Sequence, residues 1–262
     1  MKSISSRDNP LYKELKQLAT NSQARRRAGR TLLDGIHLCE AYLEHVGMPT
    51  LCVASQGALA DPEVAALVAR CDNRRIQGIV LPDALHHTLS QVEHGVGLLF
   101  VIDTPQTETP TSLTQSAVLL DNLQDPGNLG SILRSAAAAG IARVYCSTGT
   151  AFAWSPKVLR AGMGAHFLLE IFENVDLATL MRSAAVPIVA TSSHARQQLY
   201  ELDLRQPTAW LFGHEGQGVS DDLLALATRQ VGIPHLGPIE SLNVAASAAV
   251  CFFEQVRQLS SA

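Results

Sequence analysis

From residue 116 onward, short apolar runs alternate with longer helical stretches, and this alternation restricts the chain more than any other feature. The strand candidates are "SAVLLDNL", "ARVYCST", "FLLEIF", "PIVATSS", "TAWLFGH" and "RQVGIP". Between them stand "LGSILRSAAAAG", "SPKVLRAGM", "VDLATLMRSAA", "SDDLLALA" and a final helix beginning near Val244. Strands separated by helices pair in parallel and need cover on both faces, so the expected class is α/β with a mostly parallel sheet. The last helix is unusual. Val244 to Phe253 holds one Ser, one Cys and otherwise only apolar residues. A terminal helix normally keeps one polar face for water. Something beyond its own sheet is expected to cover this one on most sides.

The stretch "TPQTETPTSLTQ", Thr104 to Gln115, reads as a linker, polar and interrupted by two prolines. The expected division is therefore residues 1–103, a linker at 104–115, and residues 116–262. In the first part, Asn9-Pro10 is a helix start followed by Leu11, Leu15 and Leu18 on one face. "TLLDGIHLCEAYLEH" is an apolar strand running into a helix, "TLCVAS" and "GLLFVID" are strands, and "DPEVAALVARC" is a helix. This is a small α/β domain of its own.

Charge separates the two ends. The net charge is −4, from 20 basic and 24 acidic side chains. Residues 1–30 hold eight basic side chains against two acids, so the acids gather in the remainder. A basic N-terminal segment on an acidic body is a local site for a polyanion, with Arg25, Arg26, Arg27 and Arg30 the candidate phosphate contacts. A solvated helical face explains "ARRRAGR" equally well. The five cysteines are scattered, without CxxC or zinc spacing, which disfavours disulfides and a metal site and fits a reducing cytoplasm. No apolar run approaches the roughly 20 residues of a membrane span, and the N-terminus has no secretory apolar core.

In doubly wound sheets, ligands sit beyond the carboxyl ends of the strands. Three such junctions carry unusual polar residues. In "LLDNLQDPGNLGSILRSAAAAGI" a turn leads into a helix, with Asn128 expected at its cap and Arg134 six residues on. Six residues rotate by about 240° net, so the two do not share a helical face. In "WLFGHEGQGVSDDLL" three glycines allow close backbone approach around Glu215, and Ser220 precedes a helix. In "IPHLGPIESLNV" Ser241 or Asn243 can cap the last helix. Each junction alone has an ordinary structural explanation.

Taken together, the three resemble the SpoU (TrmH-like) family of RNA ribose 2′-O-methyltransferases, of the SPOUT class. Its first motif is matched by Asp125, Pro126, Asn128, Gly130 and Arg134, and its second by Gly213, Glu215, Gly218 and Ser220. Its third is matched by Ile233, Pro234, Gly237, Ser241, Leu242, Asn243 and Val244. "SPKVLRAGMGA" resembles a further family segment, with Gly162 where Ser is usual. "ISSRDNPLYKELKQL" and "GRTLLDGIHLCEA" resemble its substrate-binding domain, with Asp34 in place of the usual Glu.

The resemblance implies a C-terminal domain with a trefoil knot, S-adenosylmethionine as cofactor, and a homodimer formed through that domain. It implies that Gly213, Ile233 and Leu242 contact the cofactor, with Thr191 as a further candidate. Arg134 would clamp the RNA and ease the developing alkoxide, since an ordinary guanidinium is a poor base. Asn128 would orient the ribose or Arg134. Glu215 would hold its loop and Arg134, while Ser241 and Asn243 would line the pocket. Lys157 and Arg160 would add a second basic patch. Ribosomal RNA is favoured over transfer RNA because the N-terminal domain is present; a non-catalytic RNA-binding protein of the same fold is a further alternative. A nicotinamide dehydrogenase is disfavoured, because the first-turn glycine fingerprint is missing.

Overall fold

The computed structural model describes residues 1–92 and 95–260, which divide into two compact units. The first comprises Met1–Gln106 together with Trp154–Phe167. The second comprises Thr107–Ala153 and Leu168–Ala262. No helix among the described residues is long and apolar enough to cross a membrane.

The first unit opens with β1 (Lys2–Ser3), α1 (Pro10–Thr20), α2 (Ser22–Ala28), β2 (Arg30–Asp34) and α3 (Ile36–His45). It continues with β3 (Leu51–Ser55), α4 (Pro62–Asn73), β4 (Gly78–Leu81), α5 (Asp83–His87) and β5 (Leu98–Asp103). Its sheet has the order β1-β4-β3-β5-β2, with β5 antiparallel to both neighbours and the other pairs parallel. Local chemistry sets α1: the Asn9 side chain accepts from the Leu11 amide and Pro10 holds the first helical position. Tyr12, Leu15 and Leu18 face the core with Leu32, Val53, Ile79 and Val101. A second cap by Asn21 starts α2, and Gly29, at φ +60°, turns the chain into β2.

The second unit carries β6 (Ala117–Leu120), α6 (Pro126–Ala138), β7 (Arg143–Ser147), β8 (Glu170–Val175), α8 (Leu177–Arg182) and β9 (Ile188–Thr191). It ends with β10 (Gln197–Gln198), β11 (Ala209–Phe212), α9 (Asp221–Leu224), β12 (Arg229–Gly232) and α10 (Val244–Ser260). Helix α7 (Pro156–Gly162) lies between β7 and β8 in sequence and belongs to the first unit. All pairings in the seven-stranded sheet are parallel, in the order β10-β12-β9-β11-β6-β7-β8. All six expected strands are present; β10 is an added two-residue edge.

The sequence reading placed residues 154–167 in the C-terminal domain, but they pack with the first unit. Thr31 Oγ1 donates to the Trp154 carbonyl at 2.7 Å, and Tyr42 meets Phe167 edge-on at 5.3 Å. Contacts with β2 and α3, far away in sequence, thus outweigh chain continuity. The expected linker is also partly docked. Leu113 is buried in the second core, and its carbonyl accepts from the Ala185 amide.

Candidate active site

The three polar junctions all lie in the second unit, and the sheet order brings several of them together. Strands β12, β9 and β11 are adjacent. Thr191 ends β9, Gly213 follows β11 and Ile233 follows β12, so these three candidates stand at neighbouring carboxyl ends. That is the crevice position expected of a parallel sheet.

Helix α6 begins earlier than the sequence reading expected. Asp125 is its N-cap, with Oδ1 accepting from the Asn128 amide at 2.8 Å, and Pro126 is the first helical residue. Asn128 therefore sits inside the first turn, not at the cap, because Asp before Pro is a stronger start signal than Asn three positions later. This frees the Asn128 amide side chain for other loops. Its Nδ2 donates to Glu215 Oε1 at 3.1 Å, and its Oδ1 accepts from Asn243 Nδ2 at 2.9 Å.

Glu215 is the fixed point of the second junction. It accepts from the backbone amides of Asp125 at 2.9 Å and Gln124 at 3.2 Å, besides Asn128. Partial burial pushes its pKa up, but these hydrogen bonds outweigh burial and hold it below the ordinary glutamate value. It stays a carboxylate near neutral pH.

The loop around it closes on itself. His214 and Gly218 exchange backbone hydrogen bonds of 3.0 and 2.8 Å, and His214 Nδ1 accepts from the Gly216 amide. A methyl in place of the Gly213 hydrogen would stand 2.1 Å from the Gly218 carbonyl carbon. Only glycine fits there. Gly218 has φ +72°, which also favours glycine.

At the third junction, Asn243 Oδ1 accepts from the amides of Ala245 and Ala246, capping α10 while its Nδ2 reaches Asn128. One asparagine thus serves both expected roles. Ser241 is exposed in the preceding loop, beside Leu242. Leu236, Ile239 and Leu242 expose their side chains along this loop. Arg134 is exposed on α6 and, among the described residues, makes no hydrogen bond or ion pair. The contact between Glu215 and Arg134 considered from the sequence is therefore absent; the backbone of residues 124–125 takes that carboxylate instead.

Sequence reasoning missed Asp121. It follows β6, and its Oδ2 accepts from the Ser220 amide at 2.9 Å, joining the first junction to the second. Ser220 caps α9 by backbone position alone, without a side-chain cap bond. The missed signal was an acid directly after a fully buried strand.

The predicted RNA contacts divide. Arg25 is a correction: it is 6% exposed, and its Nη1 donates to the carbonyls of Leu18 at 2.6 Å and Ala19 at 3.3 Å. It closes the open C-terminal end of α1 and is not available to phosphate. Arg26 and Arg27 are exposed. Arg30 is half-buried and pairs with Glu14 at 2.9 Å and Asp103 at 3.6 Å. On α7, Lys157 is exposed, whereas Arg160 lies beside the Asp34 carboxyl with its Nη1 buried.

A cofactor with an adenine and a sulfonium fits the residues at this crevice. Bare backbone at Gly213, the Thr191 hydroxyl and the apolar side chains of Ile233 and Leu242 offer polar edges and apolar walls without a fixed cation to repel a positive sulfur. Among the described residues, no group of His, Cys, Asp and Glu has the geometry to hold a metal.

Comparison with known proteins defines the class. The SpoU rRNA Methylase family model matches residues 115–253. The chain belongs to that family. It is 33% identical to an uncharacterized tRNA/rRNA methyltransferase of Synechocystis sp., across 98% of this chain and 94% of that protein. It is 28% identical to the 23S rRNA (guanosine(2553)-2′-O)-methyltransferase of Bacillus subtilis, across 97% of this chain and 98% of the relative. Among solved structures, it is similar to the SpoU methyltransferase AviRb from Streptomyces viridochromogenes in complex with AdoMet. That likeness has a TM-score of 0.87 and 25% identity, covering 97% of this chain and 99% of the other.

Proposed function

We propose that this chain transfers a methyl group from S-adenosylmethionine to a ribose 2′-hydroxyl of ribosomal RNA. The observation that carries the reading is the chain of side-chain hydrogen bonds from Asn243 through Asn128 to Glu215, which ties the three junctions into one crevice. The named activities of the B. subtilis relative and of AviRb's family support it.

When bound, the cofactor supplies an electrophilic methyl on a sulfonium. The residues of this chain must position the ribose and help its hydroxyl lose a proton. Gly213, Ile233, Leu242 and Thr191 hold the cofactor. Arg134 binds an RNA phosphate next to the target ribose, and its charge lowers the cost of the developing alkoxide. Its exposure and its lack of a partner among the described residues support that role. Asn128 and Asn243 orient the crevice, Glu215 holds the loop, and Ser241 borders the pocket.

We read residues 1–103, with residues 154–167 packed into the same unit, as the RNA-binding domain and the rest of 116–262 as the knotted catalytic domain, joined at 104–115. The catalytic domain pairs with a second copy through α10. In support, α10 buries Ala248, Cys251 and Phe252 while leaving Phe253 48% and Leu259 52% exposed. A cytoplasmic setting is supported by five cysteines that are all free and buried.

The test is transfer of labelled methyl to ribosomal RNA from cells lacking the protein, with mapping of the 2′-O-methyl position. The expected result is label at a defined ribose, lost by roughly 100-fold or more in Arg134→Ala while cofactor binding persists. Near-normal turnover of Arg134→Ala would sink the arginine assignment. Label entering only transfer RNA would overturn the ribosomal substrate.

A further inference from the structure

The first sheet has an edge at which two groups of arginines meet. Strands β2, β3 and β4 all run in one direction, since β5 stands antiparallel to both β3 and β2. Leu32 and Leu51 both pair with Val101, and Cys52 pairs with Gly78. Gln77 therefore lies level with Leu51 and Leu32. Arg30 stands two positions before Leu32, and Arg75 two positions before Gln77. Strands β2 and β4 therefore start at the same end of the sheet, three strand spacings or about 14 Å apart, with Arg30 at the start of β2 and Arg75 in the turn that leads α4 into β4. A cavity of about 190 Å³ has Arg30, Thr50 and Gln77 together in its wall, which attests the same adjacency independently.

Helix α2 brings Arg26 and Arg27 to this edge as it enters β2, and α4 brings Arg70, Arg74 and Arg75 as it enters β4. The three arginines of the α4 group are exposed, and among the described residues none makes a side-chain hydrogen bond or ion pair. Favour toward the helix dipole accounts for one cation in the last turn, not for three. Arg75 moreover occupies the left-handed position after α4 at φ +58°, where glycine is the ordinary choice. A local stability argument therefore selects against arginine there. Asp72 is the one acid within the group.

Resting on the RNA-methyltransferase reading, we infer that this edge is a two-pole phosphate clamp. Arg26 and Arg27 form one pole; Arg70, Arg74 and Arg75 form the other. Guanidinium forks take phosphate oxygens two at a time, and two separated poles set the direction of the RNA backbone across the edge, which a single basic helix cannot do.

The test compares the full chain with the triple variant Arg70→Gln, Arg74→Gln, Arg75→Gln, using protein-free ribosomal RNA and a short RNA duplex as probes. Affinity should fall at least about tenfold at low salt. The slope of log affinity against log salt should flatten by about 2, with cofactor affinity and melting temperature unchanged. Methyl transfer should show a raised KM with kcat kept. Asp72→Asn, which removes the intervening acid, should tighten RNA binding; it keeps the inference testable if the triple variant folds poorly. Unchanged affinity and slope in the triple variant, beside weakened binding in Arg26→Gln/Arg27→Gln, overturns this inference and leaves the enzymatic reading intact. So does an Asp72→Asn variant that binds no tighter. A chain that binds no RNA overturns both.

Discussion

Arg25 and Arg27 differ by two positions in one basic run, yet one closes the end of a helix and the other faces water. Residue type did not distinguish them; the direction of each side chain from α2 did. His86 makes the same point for titration. It is 3% exposed, its Nε2 has no hydrogen-bond partner among the described residues, and burial is the main cause that lowers its pKa to about 4, against a smaller opposing pull from Asp83. The unfolded chain takes up this proton near pH 6.5, the native chain only near pH 4. The stabilisation from keeping His86 neutral is complete above pH 6.5 and is lost as pH falls toward 4. About 2 kcal/mol of it should be gone by pH 5. Urea unfolding at pH 7 and pH 5 should show His86→Leu with a correspondingly shallower pH dependence than the native chain. An identical dependence in both would remove His86 as the cause.

Among the elements, the loop after β11 is the most tightly specified. Gly213 and Gly218 have separate reasons to be glycine, one the approach of neighbouring backbone and the other a positive φ, while Gly216 has neither. Gly213→Ala should therefore displace the loop and weaken S-adenosylmethionine binding by at least about tenfold, equivalent to 1.4 kcal/mol. Gly216→Ala, whose added methyl would meet nothing nearer than 3.7 Å, should bind as the native chain does. Titration calorimetry distinguishes them, and equal affinities would mean that the loop backbone does not touch the cofactor. Helix α6 shows how a cap signal was legible but misassigned. Asp125-Pro126 read as part of a turn and Asn128 as the cap; the hydrogen bond from the Asn128 amide to Asp125 makes Asp125 the cap instead.

At the scale of the whole molecule, the unusual composition of α10 has half of its explanation within one chain. Phe252 packs edge-on against Phe212 at 5.6 Å, and Gln255 accepts from Trp210 Nε1 at 2.8 Å, so one face closes the core of the second unit. Phe253, turned off that face, and Leu259, near the end of the helix, remain about half exposed. If a second copy covers them, sedimentation should find the native chain dimeric and Phe253→Glu monomeric, with far-ultraviolet dichroism unchanged. A native chain that is monomeric at micromolar concentration would contradict the dimer.

Local physics, read along the chain, determined the α/β class, the six main strands of the second unit, the cap at Asn9, a cap at Ser241 or Asn243, and the demand for glycine near Glu215. Each depends on residues within a turn or two of one another, where periodicity, capping and φ preferences act. The tertiary structure decided what joins distant positions. Asn128 meets Glu215 across 87 positions and Asn243 across 115, and Asp121 meets the Ser220 amide across 99. It also drew Trp154–Phe167 into the first unit, buried Arg25, and brought Arg30 and Arg75 to one end of the first sheet. None of these has a local signature, because sheet order and register follow from burying every apolar face at once, and no short segment carries that constraint.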